Sequence, residues 1–328
     1  MGATEGFASA LANGITRFIE HKRVLGRRYE TEVHALRLFD RYLVERRVDA
    51  IDSITPEVIE AFLASRPRHR PRSYNHLLGV LQRLFGWLVA RDIVKRSPVR
   101  SATRRAGAAR LPFIFAPGQA RQLLHLAARL RDFEGTALRG PTFHAILATL
   151  YGLGLRVSEA CRLNVGDVDR QRRLLVIRDT KFGKDRLVPF GPRLGAMLDH
   201  YLVLRRKRGP TLADHEPLFS IRPGDRLTRQ RVGSVFRRLL PSLELRLPTG
   251  ASPPRVHDMR HSFAVGTLLR WYRSGIDPAQ RLLHLSTFLG HVRPESTAVY
   301  LTITAELLAE AGGRFETFAR PLVTAVHR

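Results

Sequence analysis

Six side chains in the second half of the chain have types and spacing that could do chemistry together. They are Arg156 in Leu153-Gly-Leu-Arg156-Val-Ser-Glu159, Lys181 in Asp179-Thr-Lys181-Phe-Gly-Lys184, His257 and Arg260 in His257-Asp-Met-Arg260-His-Ser-Phe-Ala264, His291 in Leu289-Gly-His291, and Tyr300. His257 and Arg260 are three apart and share a face if that run is helical. Leu-Gly-His reads as a helix end, because glycine takes the left-handed cap conformation without strain. Arg, Lys, His-x-x-Arg, His and Tyr, in that order, is what a phosphodiester-cleaving enzyme with a tyrosine nucleophile would need. A single Arg or His on a helix is usually a surface or capping residue, and a lone tyrosine usually packs half-buried. Tyr201 and Tyr272 read that way, and His261 reads either as surface or as support for the site. The joint occurrence of the six argues for a shared role.

The elements that must position them are mostly helices. Apolar spacing predicts helices over about 117–132, 141–152, 156–163, 192–208, 228–240, 258–274, 278–289, 295–301 and 304–311. Valine and leucine runs near 174–178 and 186–189 flank a glycine-containing turn, so Lys181 is expected on a β-hairpin. Upstream, helices are expected over 7–23 and 31–47, from Thr55-Pro56 to about Ser65, and over 73–91, forming a four-helix all-α unit. Thr55 could cap its helix, with Pro56 in the first turn. Between the two regions, residues 91–110 carry Arg91, Lys95, Arg96, Arg100, Arg104, Arg105 and Arg110 against Asp92 alone, and apolar periodicity stops. The organisation is therefore an N-terminal domain over 1–98, a basic linker over 99–112 that runs along phosphates, and a mainly α domain with one small antiparallel sheet over 113–328.

Composition narrows the partner. A formal charge of +26 over 328 residues, with a pI near 11.5, calls for a polyanion, nucleic acid before anionic membrane. The hydrophobic fraction of 44% excludes a disordered chain. No apolar run approaches the roughly 18 residues of a membrane span, and no signal-peptide pattern opens the chain. The single cysteine, Cys161, fits a reducing cytoplasm and reads as a small buried hydrophobe. There is no G-x-x-x-x-G-K-[ST] loop for ATP and no obvious three-acid set for catalytic metals.

On these residues the chain resembles the tyrosine recombinases, the phage-integrase family. The match carries Arg156 with Ser158-Glu159, Lys181, His257-x-x-Arg260-His-Ser-Phe-Ala, Leu289-Gly-His291 and Tyr300. Met259 and Ser262 stand where Leu and Thr are commoner, and Phe182 replaces a usual Gly, so Lys181 and Lys184 both compete for the lysine role. The resemblance implies a SAM-like core-binding domain that clamps DNA opposite the catalytic domain. It also implies transesterification through a 3′-phosphotyrosyl intermediate at Tyr300, with no cofactor or metal. Arg156 and Arg260 would clamp non-bridging phosphate oxygens. Lys181 would act as general acid, His257 would accept the tyrosine proton or hold an oxygen, and His291 would donate to the phosphate. Glu159 would orient Arg156. The partners implied are double-stranded DNA and further copies of the chain, a tetramer in synapsis and a monomer or dimer otherwise, with room for other recombinases or accessory DNA-bending proteins. The setting would be integration, excision or transposition of a mobile element, or a related rearrangement. A type IB-like topoisomerase and a catalytically silent DNA-binding protein are the alternatives.

Overall fold

The computed structural model describes residues 6–27, 29–105, 107, 111–178, 185–207, 212–247, 253–291 and 295–302. They belong to two compact units, Met1–Ala109 and Arg110–Arg328.

The first unit contains helices α1 (Ala12–Val24), α2 (Glu30–Glu45), α3 (Pro56–Ser65) and α4 (Pro71–Val89). Their apolar faces meet in one core that includes Ile15, Phe18, Leu36, Phe39, Phe62, Leu81 and Phe85. Burying each such side chain contributes about 1.5–3 kcal/mol, and the rings of Phe39 and Phe62 pack 4.9 Å apart. Helix α1 begins at Ala12 rather than at residue 7. The reason lies in Asp40 on α2, whose carboxylate accepts the backbone N–H groups of Ala8 and Ser9 at 3.0 and 2.9 Å and holds that stretch out of the helix. Pro56 and Pro71 start α3 and α4, where a missing N–H costs nothing. Thr55 precedes α3 without a capping hydrogen bond from its side chain to the helix backbone.

The basic segment after α4 is not a free tether throughout. The Arg104 guanidinium lies 3.9 Å from the centre of the Tyr74 ring and donates to Arg68 O at 3.0 Å. The Arg104 backbone N–H donates to Asn75 Oδ1, and Asn75 Nδ2 donates back to Arg104 O, both at 2.8 Å. Polar and stacking contacts hold Arg104 within the first unit, which the charge run alone does not reveal.

In the second unit the order is α5 (Pro117–Ala128), α6 (Arg139–Leu153), α7 (Val157–Arg162), β1 (Val168–Asp169), β2 (Leu174–Ile177), β3 (Arg186–Pro189), α8 (Pro192–Arg206), α9 (Arg229–Leu239), α10 (Asp258–Arg273), α11 (Pro278–Leu289) and α12 (Glu295–Ala298). The strands form an antiparallel sheet in sequence order, with Leu175 opposite both Val168 and Val188. The unit is therefore mainly α with one small sheet, as expected. Helix α6 is buried nearly all round, with Phe143, Ile146, Leu147 and Leu150 in the main core. A satellite core of Ala264, Val265, Leu268, Leu285 and Leu289 lies between α10 and α11 and takes in Tyr300. The expected helix 295–301 resolves into α12 and a 3-10 turn, Val299–Thr302, which packs on α10. The expected helix over 304–311 lies outside the described residues. No helix among the described residues is long and apolar enough to cross a membrane.

Candidate active site

The site is built on the C-terminal end of α11. The last carbonyls of a helix lack intrahelical partners and carry the negative end of its dipole. Here three successive carbonyls are each taken by a different arginine. Arg186 Nε donates to Phe288 O at 3.2 Å, Arg260 Nη2 to Leu289 O at 2.8 Å, and Arg156 Nη2 to Gly290 O at 2.9 Å. A second helix end joins them: the carbonyl of Gly154, which closes α6, accepts from Arg260 Nη1 at 2.8 Å. Gly154 and Gly290 both sit in the left-handed region, at φ of 59° and 69°. A Cβ on Gly154 would lie 2.6 Å from the Phe263 ring, and one on Gly290 would lie 2.9 Å from the Arg186 guanidinium. Both positions need glycine for conformation and for space.

Glu159 ties two of these arginines together. Its carboxylate, 2% exposed, accepts from Arg156 Nη1 at 2.7 Å and from the Arg156 backbone N–H at 2.9 Å. It also accepts from Arg186 Nη1 and Nη2 at 3.0 and 2.9 Å. Burial pushes the pKa of Glu159 up, but the hydrogen bonds and charge of Arg186, followed by the backbone and side-chain hydrogen bonds of Arg156, outweigh it and bring it to about 2. Arg156 begins α7 and keeps 31% of its side chain exposed. Arg260 is 1% exposed; burial, then the Arg156 charge, lowers its pKa to about 10. Two guanidiniums that oppose each other and are anchored through carbonyls keep donors for a shared anion.

Tyr300, 4% exposed, faces the histidines of α10. Its hydroxyl lies 2.9 Å from His261 Nδ1. The His257 ring meets the His261 ring edge-on at 4.8 Å, and the His291 ring lies nearly parallel to the Tyr300 ring at 6.4 Å. His291 Nδ1 is 2.6 Å from Thr297 Oγ1 on α12. Burial raises the tyrosine pKa, opposed by the charge and hydrogen bond of Arg260 and by the charge of Arg156. The histidine pKa values all fall, first through burial: to about 4 for His257 and His291, where Arg260 and Arg156 add, and to about 3 for His261, where His257 and Arg255 add. All three rings are neutral at pH 7.

Of the six residues singled out in the sequence, Arg156, His257, Arg260, His291 and Tyr300 lie together. Lys181, like Lys184, lies outside the described residues. The structure adds Arg186, which sequence reasoning left aside, and places His261, read there as surface or as support, against Tyr300. Arg186 was only part of a strand, and its signal would have been a cation just after the hairpin turn. His261 lies one helical turn after His257 and so on the same face. Among the described residues, no three His, Cys, Asp or Glu side chains group so as to hold a metal ion.

Fold and site together are those of a tyrosine recombinase. Residues 116–306 match the phage integrase family, and the chain belongs to it. It is 32% identical over 309 residues to y4rB of Sinorhizobium fredii, named as an integrase/recombinase, spanning 94% of this chain and 98% of that relative. It is 28% identical over 286 residues to tyrosine recombinase XerD of Mycobacterium leprae, spanning 83% of this chain and 85% of XerD. In fold it is similar to the Tn1549 transposon integrase solved in complex with a circular intermediate DNA, with a TM-score of 0.65, 19% identity, and 95% of this chain and 100% of that one covered. It is also similar to the XerH site-specific recombinase bound to a palindromic difH substrate, with a TM-score of 0.60, 18% identity, and 86% of this chain and 78% of that one covered.

Proposed function

We propose that this chain carries out site-specific DNA recombination by cutting and rejoining strands through a 3′-phosphotyrosyl intermediate at Tyr300, in the integration, excision or transposition of a mobile element or a related rearrangement. The Tyr300 oxygen bonds to phosphorus as the bond to the 5′-oxygen breaks. Arg156 and Arg260 hold non-bridging oxygens, each worth about 3 kcal/mol if it acts as a preorganised donor. His291 and His257 flank the phosphate, and Lys181 gives the leaving oxygen its proton. Rejoining runs the same steps backwards, and the phosphotyrosyl bond conserves the energy of the cleaved linkage. The observation that carries this reading is the end of α11, where Arg156 and Arg260 are fixed on adjacent carbonyls beside the buried Tyr300 hydroxyl.

Double-stranded DNA is the partner, supported by the charge of +26 and by the relatives of similar fold that were solved on DNA. The first unit and its basic segment serve as the clamp, and four copies in the cytoplasm synapse two duplexes. The test is a denaturing gel. Nicked duplexes are selected from random-sequence DNA by covalent capture on the unaltered chain, then offered to Tyr300→Phe. The variant is expected to bind within a few-fold and to form no adduct; an adduct in the Phe variant refutes the assignment. Relaxation of plasmids with and without the selected site separates recombination from topoisomerase action and from silent binding.

A further inference from the structure

We infer that His261, rather than His257, is the base that takes the phenolic proton of Tyr300, and that the Asp258 carboxylate holds it in the tautomer this requires. The inference rests on Tyr300 being the nucleophile. Its geometric basis is a three-member chain on the first turn of α10. The Tyr300 hydroxyl is 2.9 Å from His261 Nδ1. On the other side of the ring, His261 Nε2 faces Asp258 Oδ1 at 4.0 Å. That oxygen is buried and also pairs with Arg255 Nη2 at 3.5 Å, so Arg255 and the ring share it. A carboxylate facing Nε2 favours the proton there and leaves the Nδ1 lone pair for the tyrosine. A nucleophile, a base in contact with it and a third group orienting that base is the general arrangement for activating a weak nucleophile. His257 touches His261 edge-on, so it lines the base.

The surroundings fit a base that is empty at rest and filled during the reaction. His257, Asp258 and Arg260 on its own helix, Arg255 just before it, and His291 and Tyr300 from the segments packed on it all face His261. Burial, then His257 and the arginines Arg255 and Arg260, holds the ring neutral. A phosphate seated on Arg156 and Arg260 offsets part of that positive field and restores proton affinity as the tyrosine oxygen bonds to phosphorus. The proton moves from Tyr300 to His261 Nδ1, the P–O5′ bond breaks, and the departing 5′-oxygen takes a different proton from the general acid. Religation returns the first proton from His261 to the tyrosine oxygen.

Two measurements test this. Without DNA, long-range proton–nitrogen NMR of the full chain reports the ring tautomer of His261, assigned by the signal that His261→Gln removes. The expected form at pH 7 carries its proton on Nε2; a proton on Nδ1 overturns the proposal. With DNA, single-turnover cleavage of the captured nicked duplex is followed against pH. His261→Ala is expected to cut roughly 100- to 10,000-fold more slowly at pH 7, the usual range for a lost general base, with binding unchanged. The deficit shrinks as pH rises past about 10, the ordinary phenol pKa, above which the buried Tyr300 hydroxyl begins to ionise by itself, and added imidazole restores part of the rate. His261→Gln preserves shape and hydrogen bonding but cannot carry the proton, so it shares the deficit and guards against misfolding. A deficit that does not change with pH, or a Gln variant as fast as the unaltered chain, overturns the proposal. If the unaltered chain captures no DNA, the reading of Tyr300 as nucleophile fails, and the tautomer measurement still decides whether the ring is poised as an acceptor.

Discussion

Replacing Glu159 with Gln removes one negative charge at nearly constant shape, and the structure fixes what that should cost. A glutamine stands in for the protonated carboxyl, so its penalty at neutral pH approximates the free energy that Glu159 gains by being ionised in the fold. With the pKa falling from 4.5 to about 2, and about 1.4 kcal/mol per pH unit, that gain is about 3 kcal/mol. The sign follows from linkage: a depressed carboxyl contributes stability that is present above its unfolded pKa and lost as pH falls through the folded one. The difference between the parent and Glu159→Gln should be constant from pH 7 to about 5 and shrink as pH drops from about 4.5 towards 2. The histidines titrate in both proteins. Their lowered pKa values remove stability below about pH 6.5, so only the difference between the two curves isolates Glu159. Because the chain has two units, unfolding should be read locally. Trp87 lies in the first unit and Trp271 in the second, so a Trp87→Phe background lets urea unfolding followed by Trp271 fluorescence report on the second unit. A penalty below about 1 kcal/mol at pH 7, or a difference that does not vary with pH, would refute the reasoning that this carboxylate binds Arg156 and Arg186 as an anion.

Two further outcomes are expected. Gly290→Ala places a Cβ 2.9 Å from the Arg186 guanidinium at a positive φ, so it should destabilise the second unit by about 1–2 kcal/mol and slow cleavage through displaced arginines; thermal melting and single-turnover cleavage measure the two effects. Lys181→Ala should lose cleavage of ordinary DNA and regain it on a 5′-bridging phosphorothiolate, whose sulfur leaves without a proton. If Lys184→Ala shows that rescue while Lys181→Ala cuts normally, the acid is the other lysine.

How far the sequence could be read depended on which contacts were local. The helix pattern and the small sheet follow from periodicity, and α11 runs over the expected residues, with Gly290 as its end. The pairing of Arg156 with Glu159 was also legible, because those residues are three apart. What was hidden joins segments far apart in the chain. Arg186 reaches Glu159 across 27 positions and Phe288 across 102, and nothing in β3 itself announces that its arginine turns inwards. His261 was readable as surface or as support, but not as the contact of Tyr300, which is 39 positions away. The basic segment hid one of its contacts. A charge run does not show the aromatic ring that receives one of its members, here Tyr74.

The choice of carbonyls to hold the arginines bears on what the site can do. A guanidinium anchored by a carboxylate is fixed but neutralised, whereas one anchored by a peptide oxygen is fixed and keeps its charge. Arg260 is anchored by two carbonyls, Gly154 O and Leu289 O. Arg156 shares its one carboxylate, Glu159, with Arg186. Three guanidiniums against one carboxylate leave a charge of +2, and the neutral histidines add nothing to it at rest. Mutual repulsion and burial make that excess costly, as the lowered pKa of Arg260 records. The negative end of the α11 dipole offsets part of the cost without supplying a full counter-charge. A phosphodiester brings one negative charge and gathers more as a fifth oxygen bonds, so the unsatisfied charge is largest in value where the transferring phosphoryl needs it. A helix end, rather than a ring of acids, therefore keeps the site positive while holding the arginines still.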